Sequence, residues 1–176
     1  MHNLMVISAL GEDRPGIVNE LAKLVADTGC NIQDSRMTVL GGDFALIVLV
    51  AGKWNELAKL ETLLPGAAER LGMRLQSKRT ELPRRHAALL PYAVEVVAID
   101  HPGIVYQLAN FFARREINIR DMSTASYAAA HTSTPMFSVL LTIDVPAETH
   151  IAALRDEFMD FCDRLNLDAI MEPVKS

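Results

Sequence analysis

Only two cysteines, Cys30 and Cys162, occur in 176 residues. They have no CxxC and no paired spacing, so neither a disulfide framework nor a zinc ribbon is expected, and both read as buried thiols. Histidine is equally sparse: His2, His86, His101, His131 and His150 are scattered, none forms an HxxxH pair, and no metal site is expected. Aromatic residues make up 6% of the chain, too few for the exposed stacking platform of an RNA-recognition sheet. No apolar run approaches the roughly 20 residues that span a bilayer, so no membrane partner is expected. Basic residues are the minority, 17 Lys and Arg against 22 Asp and Glu, and a net charge of -5 repels polyphosphate, which speaks against direct nucleic-acid binding. A nucleophile with its base, paired carboxylates within one turn, a P-loop and a dinucleotide fingerprint are all missing, so neither catalytic residues nor a cofactor are expected. Met1–Ile7 has no basic region ahead of its apolar stretch and no small-residue cleavage pattern. It reads as a first strand, and the protein as cytoplasmic.

What is present is a globular balance, 50% hydrophobic and 22% charged residues, in a length that suits two small lobes. The chain repeats itself. Asp13-Arg14-Pro15-Gly16-Ile17-Val18 recurs as Asp100-His101-Pro102-Gly103-Ile104-Val105 at an offset of 87 residues, and residues 13–34 match 100–121 without gaps at 11 of 22 positions. Two copies of one domain follow, expected at 1–80 and 92–176. Between them, Lys78 to Pro91 holds two prolines, no period and a local excess of positive charge, and 81–91 is expected as a linker. Its basic residues could dock an acidic partner, although charge runs usually just face water.

The hydrophobic period changes in the same order in each copy. Leu4–Leu10 suits a central strand, and Ile17, Leu21, Leu24 and Val25 follow helical spacing that stops near Gly29. Strands are expected over Ile32–Leu40 and Phe44–Val50, joined by Gly41-Gly42-Asp43. A second helix from about Lys53 is expected to break at Pro65-Gly66 and resume to Leu71, before a last strand at Met73–Ser77. In the second copy Tyr92–Ile99 is the strand, Ile104, Leu108, Phe111 and Phe112 form one helix face, and Ile151, Leu154, Phe158, Phe161 and Leu165 form the other. Aligning Phe44 with Phe137 shifts the offset to 93, so six extra residues fall within Met122–Met136, which reads as a longer loop. The order βαββαβ predicts an α+β fold of two ferredoxin-like domains in tandem, each an antiparallel four-stranded sheet with both helices on one face.

The turn from first strand to first helix carries the most chemistry. Asp13 and Asp100 are expected to cap the helix, with Pro15 and Pro102 in its first turn. Gly16 and Gly103, lacking a Cβ, would let a ligand carboxylate reach backbone N–H groups where the helix dipole favours an anion. Asn31 and Asn118 open the second strand with an amide that offers donor and acceptor, or serve simply as turn residues. Arg14 and His101 share one slot, so the two turns need not be equivalent as sites.

Each copy resembles the ACT domain on Gly16 with Asn31-Ile32 and Gly103 with Asn118-Ile119. The tandem layout, Thr134-Pro135-Met136-Phe137, and the closing stretch from His150-Ile151 to Ala169-Ile170 resemble the glycine cleavage system transcriptional repressor family. That resemblance implies an effector-binding set of Asp13, Arg14, Gly16, Ile17, Asn31 and Ile32 in one copy and Asp100, His101, Gly103, Ile104, Asn118 and Ile119 in the other. It implies a non-enzymatic repressor that responds to an amino acid such as glycine and acts through a DNA-bound activator protein, with a homo-oligomer as a further option. The alternative is a detached ACT subunit that tunes a metabolic enzyme.

Overall fold

Alternation of buried Met5, Ile7 and Ala9 with residues on the other face makes Asn3–Glu12 a strand, β1, with one side committed to a core. The computed structural model describes residues 3–82 and 88–174, and the chain divides into two compact units, Met1–Arg84 and Arg85–Ser176. In the first unit β1 is followed by α1 (Ile17–Asp27), β2 (Asn31–Leu40), β3 (Asp43–Gly52), α2 (Trp54–Leu71) and β4 (Arg74–Thr80). The second repeats the order with β5 (Leu89–Ile99), α3 (Ile104–Ala113), β6 (Asn118–Ala128), β7 (Pro135–Pro146), α4 (Ile151–Arg164) and β8 (Asp168–Pro173). Each sheet is antiparallel, in the orders β2-β3-β1-β4 and β6-β7-β5-β8. The two helices of each unit cover the sheet face that holds the core, so the fold is the expected pair of ferredoxin-like βαββαβ domains.

The second unit has one continuous core, in which Phe111, Phe112 and Phe158 meet edge-on or tilted at centroid separations of 5.2 to 5.3 Å. The first has two clusters, one around Met5, Val50, Leu57 and Leu60 and one around Ile17, Phe44 and Leu71, joined by half-buried Leu24, Leu46 and Leu75. The repeat explains the difference: Leu24 and Val25 stand where the second copy has the bulkier Phe111 and Phe112.

Four local expectations are corrected. The helix break at Pro65-Gly66 does not occur, because α2 runs through Pro65 with Leu57, Leu60, Leu64, Ala67 and Leu71 on one buried face. Pro65 and Gly66 face solvent, and burial of the last turn outweighs the local penalty. The loop expected over Met122–Met136 is confined to 129–134: Tyr127 pairs with Met136 and Ala128 with Pro135, so the inserted residues also lengthen both hairpin strands. β4 extends to Thr80 and β5 begins at Leu89, where Leu90 pairs with Val145, so the connection is shorter than the composition suggests. Its central residues, including Arg84, Arg85 and His86 of the possible docking patch, lie outside the described residues, as does His2. The fourth correction concerns the helix caps.

Candidate functional site

In both units the first turn is built by a left-handed glycine. Gly16 has φ of 87° and Gly103 of 98°, and each is the N-cap of the following helix with no side chain capping it. Asp13 and Asp100 therefore do not cap. The glycine itself takes the cap position, and Pro15 and Pro102 precede the helix instead of filling its first turn. Such a φ strains any residue with a Cβ, which explains both glycines without a ligand.

The turn nevertheless leaves useful groups free. The first intrahelical bonds run from Glu20 N–H to Gly16 O at 3.0 Å and from Gln107 N–H to Gly103 O at 2.9 Å. The N–H groups of residues 17–19 and 104–106 thus have no acceptor within their helices. A Cβ placed on Gly16 or Gly103 would meet no atom within 4 Å, so the approach to these groups is open. Each turn is tied to the neighbouring hairpin: Asp13 N–H donates to Gly42 O at 3.1 Å, and Asp100 N–H to Pro135 O at 2.9 Å.

The two turns differ in charge. Arg14 Nη1 donates to Glu20 Oε1 at 2.8 Å, and this contact holds the Glu20 carboxyl below its ordinary range. In the second unit His101 Nδ1 lies 3.0 Å from Pro102 O, and the position equivalent to Glu20 is Gln107. The Gln107 Oε1 atom is buried and finds no partner among the described residues. Gln107 escaped the sequence reading, although it aligns with Glu20 at the same offset of 87 that pairs Gly16 with Gly103. Asp100 Oδ2 accepts a long bond from Ser126 Oγ at 3.4 Å.

The remaining site residues do not join the turns. Ile17 and Ile104 are each 2% exposed and belong to the cores, leaving only their backbone N–H groups for a ligand. Asn31 and Asn118 are exposed at the opposite end of their sheets. Asn31 is level with Ala51 and Leu4, whereas the Gly16 turn follows Glu12, eight residues further along β1. At about 3.3 Å per residue the separation is roughly 25 Å. The second unit is the same: Asn118 is level with Asp144 and Pro91, and the Gly103 turn follows Ile99. Beside Asn118, Arg120 Nε donates to the buried Asp144 Oδ2 at 3.1 Å. Ile32 is half-exposed on the edge strand, and Ile119 packs against the core. One unit therefore cannot close both ends around one small ligand.

Among the described residues no group of His, Cys, Asp and Glu converges as a metal site, and no helix is long and apolar enough to cross a membrane. Cys30 and Cys162 are free and buried. Burial, with Asp163 nearby, pushes the Cys162 thiol up to about 12.

Residues 3–78 match the ACT domain family model. A glycine cleavage system transcriptional repressor of Escherichia coli (strain K12) is 32% identical over 162 residues, which cover 92% of this chain and 85% of that protein. A UPF0237 protein of Methanocaldococcus jannaschii is 36% identical over 73 residues, 40% of this chain and 81% of that protein. Among solved structures, one assigned to the glycine cleavage system transcriptional repressors superposes with a TM-score of 0.75 at 29% identity, over 100% of this chain and 99% of its own. A protein of unknown function from Galdieria sulphuraria gives a TM-score of 0.81 at 24% identity over 99% of this chain and 100% of its own, a likeness of fold alone.

Proposed function

We propose, from the premise that this chain belongs to the glycine cleavage system transcriptional repressor family of tandem ACT-domain proteins, that it is a cytoplasmic, amino-acid-responsive repressor acting through contact with a DNA-bound activator. The observation that carries this reading is similarity along nearly the whole chain, through both units, to a protein named as a transcriptional repressor of the glycine cleavage system. The net charge of -5 favours a route through protein over a grip on DNA.

The effector in this reading is an α-amino acid, glycine first among them. Its carboxylate takes the free N–H groups at the start of α1 or α3, past Gly16 or Gly103. The second turn is the better receptor. Its buried Gln107 oxygen has no partner among the described residues and would accept from an ammonium group that reached it, whereas Arg14 and Glu20 already satisfy each other in the first. Asp13, Arg14, Asp100 and His101 border the turns. Asn31 with Ile32 and Asn118 with Ile119 form separate subsites a sheet length away, and a ligand touching both ends would have to draw on more than one unit. The expected division into domains at 1–80 and 92–176 belongs to the same reading, with the linker 81–91 cut short by the start of β5 at Leu89.

Two measurements test it. Glycine and other common amino acids are titrated against the thermal midpoint of the full chain, since a ligand that binds only the folded form raises it. Gly103→Val should abolish that rise and Gly16→Val should leave most of it; a rise untouched by both changes removes the turns from consideration. In a promoter-binding assay the protein alone should give no sequence-specific shift but should alter an activator's complex. Specific binding by the protein alone at physiological salt would overturn the proposed route. Co-purification with a metabolic enzyme whose activity it changes would replace the repressor by a detached regulatory subunit.

A further inference from the structure

The sheet faces turned away from the helices carry apolar centres and opposed edge charge. On the first unit, Leu10 and Ile47 are 47% and 52% exposed, and Val6 and Leu49 share their face. Along the β4 edge of that face stand Arg74, level with Leu10, and Lys78, level with Val6. On the second unit, Leu140 and Ile170 are each 52% exposed. Here the equivalent edge strand, β8, carries Asp168 and Glu172 where β4 has Arg74 and Lys78. Glu95 and Asp121 lie on the same face, so it displays four exposed carboxylates. Among the described residues its one basic neighbour, Arg120, is engaged by Asp144. On the first face Arg36 and Asp34 pair with each other, and Glu12 and Asp43 lie at the hairpin end, away from Lys78.

We propose that these faces are a docking surface for a second copy of this chain: the first-unit sheet of one copy packs on the second-unit sheet of the other, reciprocally. Like faces reject each other, because second face on second face sets carboxylates against carboxylates and first on first sets Arg74 and Lys78 against themselves. Unlike faces put basic edge against acidic face around an apolar centre. The second face also has a hollow of about 340 Å³ lined by Glu95, Asp121, Leu140, Ile170 and Glu172, suited to a long cationic side chain with an aliphatic stem. Area argues for reciprocity. Four strands spaced about 4.8 Å, each about seven residues long, give a face of roughly 440 Å². A single contact buries roughly 900 Å², short of the ~1,200 Å² typical of stable complexes, whereas two bury roughly 1,750 Å².

Sedimentation velocity on the full chain at micromolar concentration tests this, with circular dichroism to show that each variant is folded. The wild type should sediment as a dimer that loosens as salt screens the charges. Glu95→Lys with Glu172→Lys in one variant, and Arg74→Glu with Lys78→Glu in another, should each weaken self-association by about tenfold or more. Mixed together, the two variants should recover a dimer, since the unaltered basic face of one meets the unaltered acidic face of the other and, in the second contact, the reversed pairs of charges oppose each other. A monomeric wild type, variants that dimerise alone as well as the parent, or a mixture that stays monomeric would each overturn the proposal, the last by placing the contact within one chain or elsewhere.

Discussion

Replacing Pro65 by alanine should stabilise the protein, and the size of the gain follows from where the proline sits. It lies in the interior of an 18-residue helix with eleven residues before it, on the solvent face between buried Leu64 and Ala67. It offers no N–H to the Glu61 carbonyl, and its ring crowds that carbonyl, a penalty of about 3 kcal/mol against alanine in a helix interior. Part is returned, because proline restricts the unfolded chain by about 0.4–1 kcal/mol, so Pro65→Ala should gain about 2 kcal/mol. Gly66 adds to this. A Cβ there meets no atom within 4 Å and the residue has no positive φ, so Gly66→Ala should contribute about 1 kcal/mol. The double variant should then raise the midpoint of its unit's thermal transition by roughly 12–24 °C, at about 4–8 °C per kcal/mol for a unit of this size. Urea unfolding followed by far-ultraviolet circular dichroism gives the free energy directly, with the slope against denaturant unchanged. A double variant no more stable than the parent would mean that Trp54–Leu71 is not one helix.

Gly52→Ala should destabilise by about 1–3 kcal/mol through overpacking, since its Cβ would lie 2.9 Å from Cys30 Sγ and 3.3 Å from Glu56 Oε2; the loss should shrink in a Cys30→Ala background, and an equal loss in both would refute the contact. His150 Nδ1 accepts from Ala153 N–H at 3.2 Å as the cap of α4, so His150→Ala should lose about 1 kcal/mol in urea unfolding while His150→Ser keeps most of it. Cys162 holds its proton to about 12 in the folded state against 9.0 ordinarily. Its contribution is therefore complete below about pH 9 and falls by at most about 1.4 kcal/mol per pH unit up to about pH 12. Cys162→Ala should flatten that alkaline decline, and alkylation of Cys162 should track global unfolding; rapid labelling of the native protein would contradict its burial.

The fold was legible because two independent signals agreed: hydrophobic period gave element order within a copy, and the repeat gave the same order twice. The failures fell where a local rule competed with tertiary burial. Pro65-Gly66 is a breaker pair by propensity, yet the apolar spacing Leu57, Leu60, Leu64, Ala67, Leu71 continues through it, and that spacing won. The stretch from Met122 is polar and small because β6 is an edge strand exposed along nearly its whole length, not because it is a loop. Polarity alone does not separate an edge strand from a connection, and the pairing partner that does separate them, β7, is remote in sequence. The caps failed for a similar reason: aspartate two residues before a Pro-Gly turn is a sound capping signal, but the left-handed glycine moves the helix start beyond its reach.

The site was legible in part, and its geometry changes what the motif means. Residues 13–34 are continuous in the repeat, but β1, α1 and β2 run up, down and up the unit, so Gly16 and Asn31 end a sheet length apart. Shared identity between the copies therefore reports two local demands and not one pocket: a positive φ at the turn and a strand start at the far end. Departures between the copies say more about function. Glu20 against Gln107 changes a satisfied ion pair into a buried acceptor with no partner among the described residues, and Leu24-Val25 against Phe111-Phe112 changes a divided core into a continuous one. An effector acts only through unequal affinity for two states. The second unit joins a turn holding an unpartnered acceptor to a continuous core, while in the first Arg14 and Glu20 pair with each other and the core is divided. In the proposed reading, binding at the second turn would reach the β6–β7 hairpin through the backbone bond from Asp100 N–H to Pro135 O.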